Sequence, residues 1–218
     1  MQLFSLWGQY LGSLLSGLAT TVELTLLGLA VAVAGGALLA ALRSSRLRVL
    51  RVPAIVYVDL LRSIPVLVLL FIAYYGMGQL GLNLSGVLAA TLALGSFYAA
   101  LFAEIFRGGM QGVDRGQREA AAALGMSTAQ QLKQVILPQA FVAILLPSTN
   151  QMSNIIKDSS LVVTIGVADL MSKAYQASAQ SFQPMDMFIL AGIIYFCVYL
   201  IISRALAKWE LSVARHRS

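Results

Sequence analysis

Three groups of polar side chains stand inside stretches of this sequence that are otherwise apolar. Asp59 and Arg62 lie three residues apart in AIVYVDLLRSIPVLVLLF, and Glu104 and Arg107 repeat the spacing at the end of TLALGSFYAALFAEIFR. On a helix that spacing puts opposite charges on one face, where they can pair. Asp59 and Arg62 therefore read as a structural ion pair, while Glu104 can either line a cavity or brace the chain that follows it. The third group is Asn150, Asn154 and Asp158, set four residues apart and accompanied by Ser148, Thr149, Gln151 and Ser153. Positions i, i+4 and i+8 share a helical face. Such a face suits a small zwitterion, with Asp158 taking an ammonium and amide donors a carboxylate. The same row can equally hydrogen-bond to neighbouring helices.

None of these groups is a catalytic constellation. The sequence has no glycine-rich P-loop ending in Gly-Lys-Ser/Thr, so no ATP site of that kind is expected in this chain. His216 is the only histidine, and no His/Cys cluster or His-Glu-x-x-His run offers a metal site. No Gly-x-Ser-x-Gly elbow is present. Cys197, the single cysteine, sits in AGIIYFCVYLII and reads as a small hydrophobe. The expectation is a chain that is not itself an enzyme and carries neither cofactor nor metal.

The elements that hold these residues follow from composition. Hydrophobic residues make up 59% of the 218-residue chain and charged residues only 11%, against roughly 25% charged in soluble domains. A soluble fold cannot hide that much apolar surface, whereas a bilayer accepts it. Crossing the hydrocarbon takes roughly 20 apolar residues in a helix. Five stretches qualify, at about 13–42, 53–75, 86–106, 138–156 and 186–206. The fold class is thus all-α, an integral membrane bundle of about five spans forming a single transmembrane domain over 1–218.

Charge orients the bundle. Arg43, Arg46, Arg48 and Arg51 lie between spans one and two. Arg107, Arg115, Arg118 and Lys133 lie between three and four, and Arg204, Lys208, Arg215 and Arg217 follow span five. These are twelve of the fifteen basic residues. The positive-inside rule places them in the cytoplasm, with the N-terminus outside and the C-terminus inside. The net charge of +6 is therefore a topology signal, and nucleic acid is not expected as a partner. MQLFSLWGQY has no basic region of the signal-peptide kind. Trp7 and Tyr10 suit a membrane interface instead. Beyond Lys157, the apolar SLVVTIGVADL is too short to cross and is expected to dip into or pack against the bundle.

The segment 107–137 is more than a connector. Asp114 and Gln117 mark a helix start, because their side chains can satisfy exposed N–H groups in the first turn. Ala120 to Ala123 have the highest helix propensity available. Gly125 suits the left-handed position that ends a helix, Ser127 with Gln130 repeats the start signal, and Pro138 fits the first turn of the span beyond. This predicts two short helices joined by a sharp turn, either a knob that docks into a partner or a solvated hairpin.

Glu119-Ala120-Ala121, then Gly125, Val135 and Leu137-Pro138 resemble the EAA loop of ABC importer permeases, with valine where isoleucine is usual. Arg62-Ser63-Ile64-Pro65, the run from Ala103 to Gly109 (AEIFRGG), Gly116-Gln117 and Lys157-Asp158-Ser159-Ser160-Leu161 resemble segments of the polar amino-acid branch, the histidine/glutamine/glutamate type. The resemblance implies a multi-pass protein of the bacterial plasma (inner) membrane. It implies a permease subunit of a binding-protein-dependent importer of polar amino acids, working by alternating access. Glu119, Ala120, Ala121, Leu124 and Gly125 would couple it to a cytoplasmic ABC ATPase dimer, which binds ATP and Mg. A second permease subunit, itself or a homologue, and an extracytoplasmic amino-acid-binding protein would complete the assembly. Glu104, Asn150, Asn154 and Asp158 would line the substrate pathway. The alternatives are an EAA-type permease for another small solute, and an ATP-independent channel or scaffold.

Overall fold

A computed structural model describes residues 2–215, with side chains from 6 to 209. His216 and Arg217, read above as tail residues, lie outside the described residues. No strand occurs among the described residues. The helices are α1 (Gln2–Arg43), α2 (Arg48–Ser63), α3 (Val66–Gln79), α4 (Gly86–Gln111), α5 (Arg115–Ala123), α6 (Thr128–Ile165), α7 (Leu170–Ser181) and α8 (Pro184–Arg215). Within them, α3 holds a π-helical turn at Ile72–Gly76 and α6 another at Gln131–Ile136. The end of α6, Ser159–Ile165, is 3₁₀.

Four helical segments are long and apolar enough to cross a membrane: Leu6–Arg43, Gly86–Gln111, Thr128–Ile165 and Pro184–Trp209. Taking α2 and α3 together as one bent crossing makes five. The fold is the all-α membrane bundle that composition required. The first span is longer than expected, because nothing in residues 2–12 interrupts the helix. At 1.5 Å per residue, the 38 residues Leu6–Arg43 reach roughly 57 Å, well beyond a hydrocarbon core of about 30 Å.

The second expected span, about 53–75, is not one helix. Its axis turns through 108° between Ser63 and Val66. Pro65 is the cause, since its ring excludes the preceding residue from the helical region. Ile64 is accordingly extended, at φ −99° and ψ 131°. The chain restarts as α3, with Pro65 just before its first turn.

α1 and α4 run in the same direction, in contact over much of their length. Gly28 meets Leu94, Gly35 meets Ala99 and Gly36 meets Phe102. The approach is close: a Cβ on Gly36 would fall 2.5 Å from that of Phe102. Small residues allow this contact, as they do wherever helices associate without a hydrophobic drive between them. Leu24, Ala32, Leu70, Leu94, Tyr98 and Ile155 form the largest buried cluster around this pair.

The stretch after Lys157 packs against the bundle. Val162, Ile165 and Val167 join the same core, and Gly166 makes the turn at φ +78°. The helix α7 that follows has no counterpart in the sequence reading. It packs Leu170, Ala174 and Ala177 against Leu14 of α1 and Met187 and Leu190 of α8.

Candidate functional site

The connection between α4 and α6 is built around the short helix α5, closed at both ends. Asp114 caps α5, its Oδ1 accepting from the Gly116 N–H at 2.7 Å. The helix ends in a Schellman turn: Gly125 N–H donates to Ala122 O at 3.0 Å, and Met126 N–H to Ala121 O at 3.2 Å. Gly125 sits at φ +74°, which a side chain with a Cβ adopts only at a penalty. A complete capping box opens the next turn, since Gln130 N–H donates to Ser127 Oγ and Ser127 N–H to Gln130 Oε1.

Side chains then fasten this segment to both neighbouring spans. Arg118 Nη2 donates to the carbonyl of Met110 at the end of α4. Gln139 Nε2 of α6 donates to Gln117 Oε1 at 3.3 Å, and Gln131 Nε2 to Met126 O at 2.8 Å. Val113, Ile136 and Ala140, with Met110 and Ile144, form a small buried cluster beneath. Ala121 faces inward and is buried, while Leu124 at the turn is 82% exposed. Glu119 pairs with Arg115 at 2.8 Å on the outer surface, an exposed i,i+4 contact worth little to stability. The segment is therefore an anchored knob with an apolar tip, not a loose hairpin.

Beside it lies a cluster of charges of which sequence spacing revealed only Glu104 and Arg107. Glu104 Oε1 accepts from Arg43 Nη1 of α1, and Oε2 from Arg107 Nη2 at 2.6 Å. Arg62 Nη1 of α2 lies 3.4 Å from Oε1. One carboxylate thus joins α1, α2 and α4. The expected pair Asp59–Arg62 is not formed: Arg62 turns to Glu104, and Asp59 has no ion-pair partner among the described residues. Glu104 is the more sheltered acid, and Coulomb attraction strengthens as water is excluded. The missing signal was Arg43, sixty-one residues away in sequence.

Asn150, Asn154 and Asp158 lie on one face of the regular helical part of α6, Leu137–Asp158. Asp158 Oδ2 accepts from Tyr98 OH of α4 at 2.7 Å. Asn150 is exposed and Asn154 half-buried, and neither side chain has a hydrogen-bond partner among the described residues. Lys157 does not pair with Asp158; its Nζ lies 5.4 Å from the Tyr199 ring centroid. Glu104 is not part of this row. It follows Tyr98 by six residues, about 9 Å along the α4 axis, and its oxygens are occupied by guanidinium groups.

A second buried polar site also escaped the sequence reading. Asp169 is fully buried and caps α7, Oδ1 accepting from Ser172 N–H at 2.9 Å. Its Oδ2 accepts from Tyr195 OH at 3.3 Å, and Thr21 Oγ1 of α1 accepts from Leu170 N–H at 3.1 Å. Burial pushes the Asp169 carboxyl above its ordinary value against the opposing pull of these hydrogen bonds. The spacing Asp169-x-x-Ser172 at the start of α7 was the available signal.

Comparison with known proteins agrees with this architecture. The family of binding-protein-dependent transport system inner membrane components matches residues 9–210. The arginine transport system permease protein ArtQ of Bacillus subtilis is 35% identical over 191 residues, covering 87% of each chain. The nopaline transport system permease protein NocM of Agrobacterium fabrum is 36% identical, over 91% of this chain and 88% of its own. Among solved structures, an amino acid ABC transporter crystallised with histidines superposes with a TM-score of 0.90 at 34% identity, covering 94% of this chain and 95% of the other. The inward-facing MetNI methionine ABC transporter shares the fold, with a TM-score of 0.71 at 20% identity over 98% of each chain.

Proposed function

The chain belongs to the binding-protein-dependent transport system inner membrane components, and from that membership we propose that it is the permease subunit of an ATP-driven importer of polar amino acids. Relatives transporting arginine and nopaline, and a structural neighbour crystallised with histidines, support the substrate class. The α5 knob carries the mechanistic part of the proposal. Its cap, Schellman turn and cross-braces make it rigid, and rigidity is what a coupling element needs. Glu119, Ala120, Ala121, Leu124 and Gly125 form the face that docks on a cytoplasmic ABC ATPase, with Leu124 as the apolar tip. ATP and Mg bind to that partner.

The basic connections lie in the cytoplasm, the N-terminus outside and the C-terminus inside. A second permease subunit, identical or homologous, completes the path, because five spans are too few to enclose a gated one. An extracytoplasmic binding protein delivers the amino acid. The cycle runs only if substrate and nucleotide stabilise different states of the bundle. α6 is suited to link them, since its first turns anchor the knob and its later turns carry Asn150, Asn154 and Asp158. In this account the two asparagines meet the substrate carboxylate, and Asp158, held by Tyr98, meets its ammonium.

Docking is tested by crosslinking. A single thiol at Leu124→Cys, in a Cys197→Ser background, crosslinks to the partner ABC ATPase, and nucleotide alters the yield. A thiol at Val49→Cys, on the surface of α2, gives none. Equal yields at the two positions contradict the assignment.

A further inference from the structure

The α2 half of the bent second crossing does not itself run through the bilayer. Its 16 residues reach roughly 24 Å, short of a hydrocarbon core of about 30 Å. Its axis lies 108° from that of α3, which is 18° past a right angle. Since α3 packs along the spanning helix α4, α2 runs across the bundle.

Three faces follow from the burial of its side chains. Ala54 and Val58 are buried, and Val58 with Leu61 packs on Leu39, Ala100 and Ala103. Val49, Val56 and Leu60 form an exposed apolar face, Val49 at 84% exposure. Between the two run Arg48, Arg51, Asp59 and Arg62. A helix of modest overall hydrophobicity, apolar on one side and basic on the other, is the pattern of a segment lying in the plane of a membrane surface.

The charges near its start are uncompensated. Arg43 and Arg62 share Glu104, but Arg46, Arg48 and Arg51 have no carboxylate partner among the described residues. Three cations within six residues, flanking an outward apolar face, complement an anionic headgroup layer. A guanidinium fork matches the oxygens of a lipid phosphate, and a basic residue near such a surface contributes about 1 kcal/mol.

We propose that α2 lies along the bilayer surface at the basic end of the bundle and recruits anionic phospholipid through Arg46, Arg48 and Arg51. The proposal needs only that the chain is in a membrane. It stands whichever solute is carried.

The test places an environment-sensitive fluorophore at Val56→Cys in the Cys197→Ser background, with the permease reconstituted with its ATPase. Brominated phosphatidylglycerol and brominated phosphatidylcholine are compared as quenchers in otherwise matched vesicles. Both quench, and phosphatidylglycerol is enriched about fivefold for each arginine engaged. The preference collapses at 0.5 M salt, an arm that needs no further variant. It also collapses in the triple variant Arg46→Gln/Arg48→Gln/Arg51→Gln and survives when the three become lysine. Absence of quenching by either lipid means that protein, such as a second copy, covers this face, and overturns the proposal. Equal quenching by the two lipids, or a preference that persists in the glutamine variant, overturns it as well.

Discussion

Both ends of α6 carry polar side chains, and the two ends use them in opposite ways. At the knob, Gln131 donates to Met126, Gln139 to Gln117, and the Ser127–Gln130 box is closed. Toward the other end, Asn150 and Asn154 have no side-chain partner among the described residues, and Asp158 accepts one hydrogen bond, from Tyr98. Within a bilayer an unmet polar group is expensive. Polar groups that are all satisfied within the chain hold a shape. Those left open await another chain, water or a substrate. On the proposed reading, the contrast separates a coupling lever from a substrate path along one helix.

The carboxylate of Glu104, with both oxygens occupied, belongs to the satisfied class, and it offers the largest effect. Glu104→Ala leaves Arg43, Arg62 and Arg107 in mutual repulsion at a sheltered site. Breaking a fully buried pair costs about 3–5 kcal/mol, and this part-buried cluster less, about 2 kcal/mol. A marked fall in thermal stability in detergent is expected, with Asp59→Ala close to unchanged. Equal effects of the two would restore the pairing that sequence spacing suggested.

Gly125→Val acts next, on the lever alone. Forcing a β-branched residue into the left-handed region costs about 1–2 kcal/mol locally, enough to reset the turn without unfolding the bundle. Uptake falls while the variant still assembles with the ATPase. Gly125→Asn, which tolerates that backbone, retains most of it. If valine is harmless, the turn does not transmit.

The open class responds differently. Asn150→Ala and Asn154→Ala remove no internal hydrogen bond, so stability stays within about 0.5 kcal/mol while uptake drops. Tyr98→Phe deletes the hydrogen bond to Asp158, with a modest stability loss of about 1 kcal/mol. A large stability loss at either asparagine would move the row into the structural class.

The smallest effect concerns Asp169. Its folded carboxyl holds a proton to higher pH than the unfolded chain, whose value is the ordinary 3.8. Folding therefore takes up a proton in the window above that value, and stability falls as pH rises through it. Asp169→Asn should flatten this slope above that ordinary value, read as melting temperature against pH. A steeper slope in the variant would contradict the assignment.

Local signals were legible in the sequence, and tertiary ones were not. The caps at Asp114 and Ser127 and the turn at Gly125 depend on residues within five positions of one another. They were readable for that reason. The break at Pro65 was also local, but the apolar runs on both sides of it mimic a continuous span, and hydropathy does not register direction. Helix α7 is too polar for a hydropathy signal, and its burial comes from Leu14 and Met187, far away in the chain. Asp59 was paired with Arg62, and the second partner of Glu104 was missed, for the same reason. Spacing ranks neighbours on one helix, whereas Arg43 arrives through the packing of α1 on α4.

The most direct test of the account is uptake of radiolabelled amino acids by proteoliposomes holding this chain, a candidate partner ATPase and a candidate binding protein. The account predicts uptake that requires ATP and the binding protein together. It also predicts that uptake is lost in Gly125→Val, even though the ATPase remains bound. Uptake that proceeds without ATP, or an ATPase that fails to assemble with the unaltered chain, would contradict it.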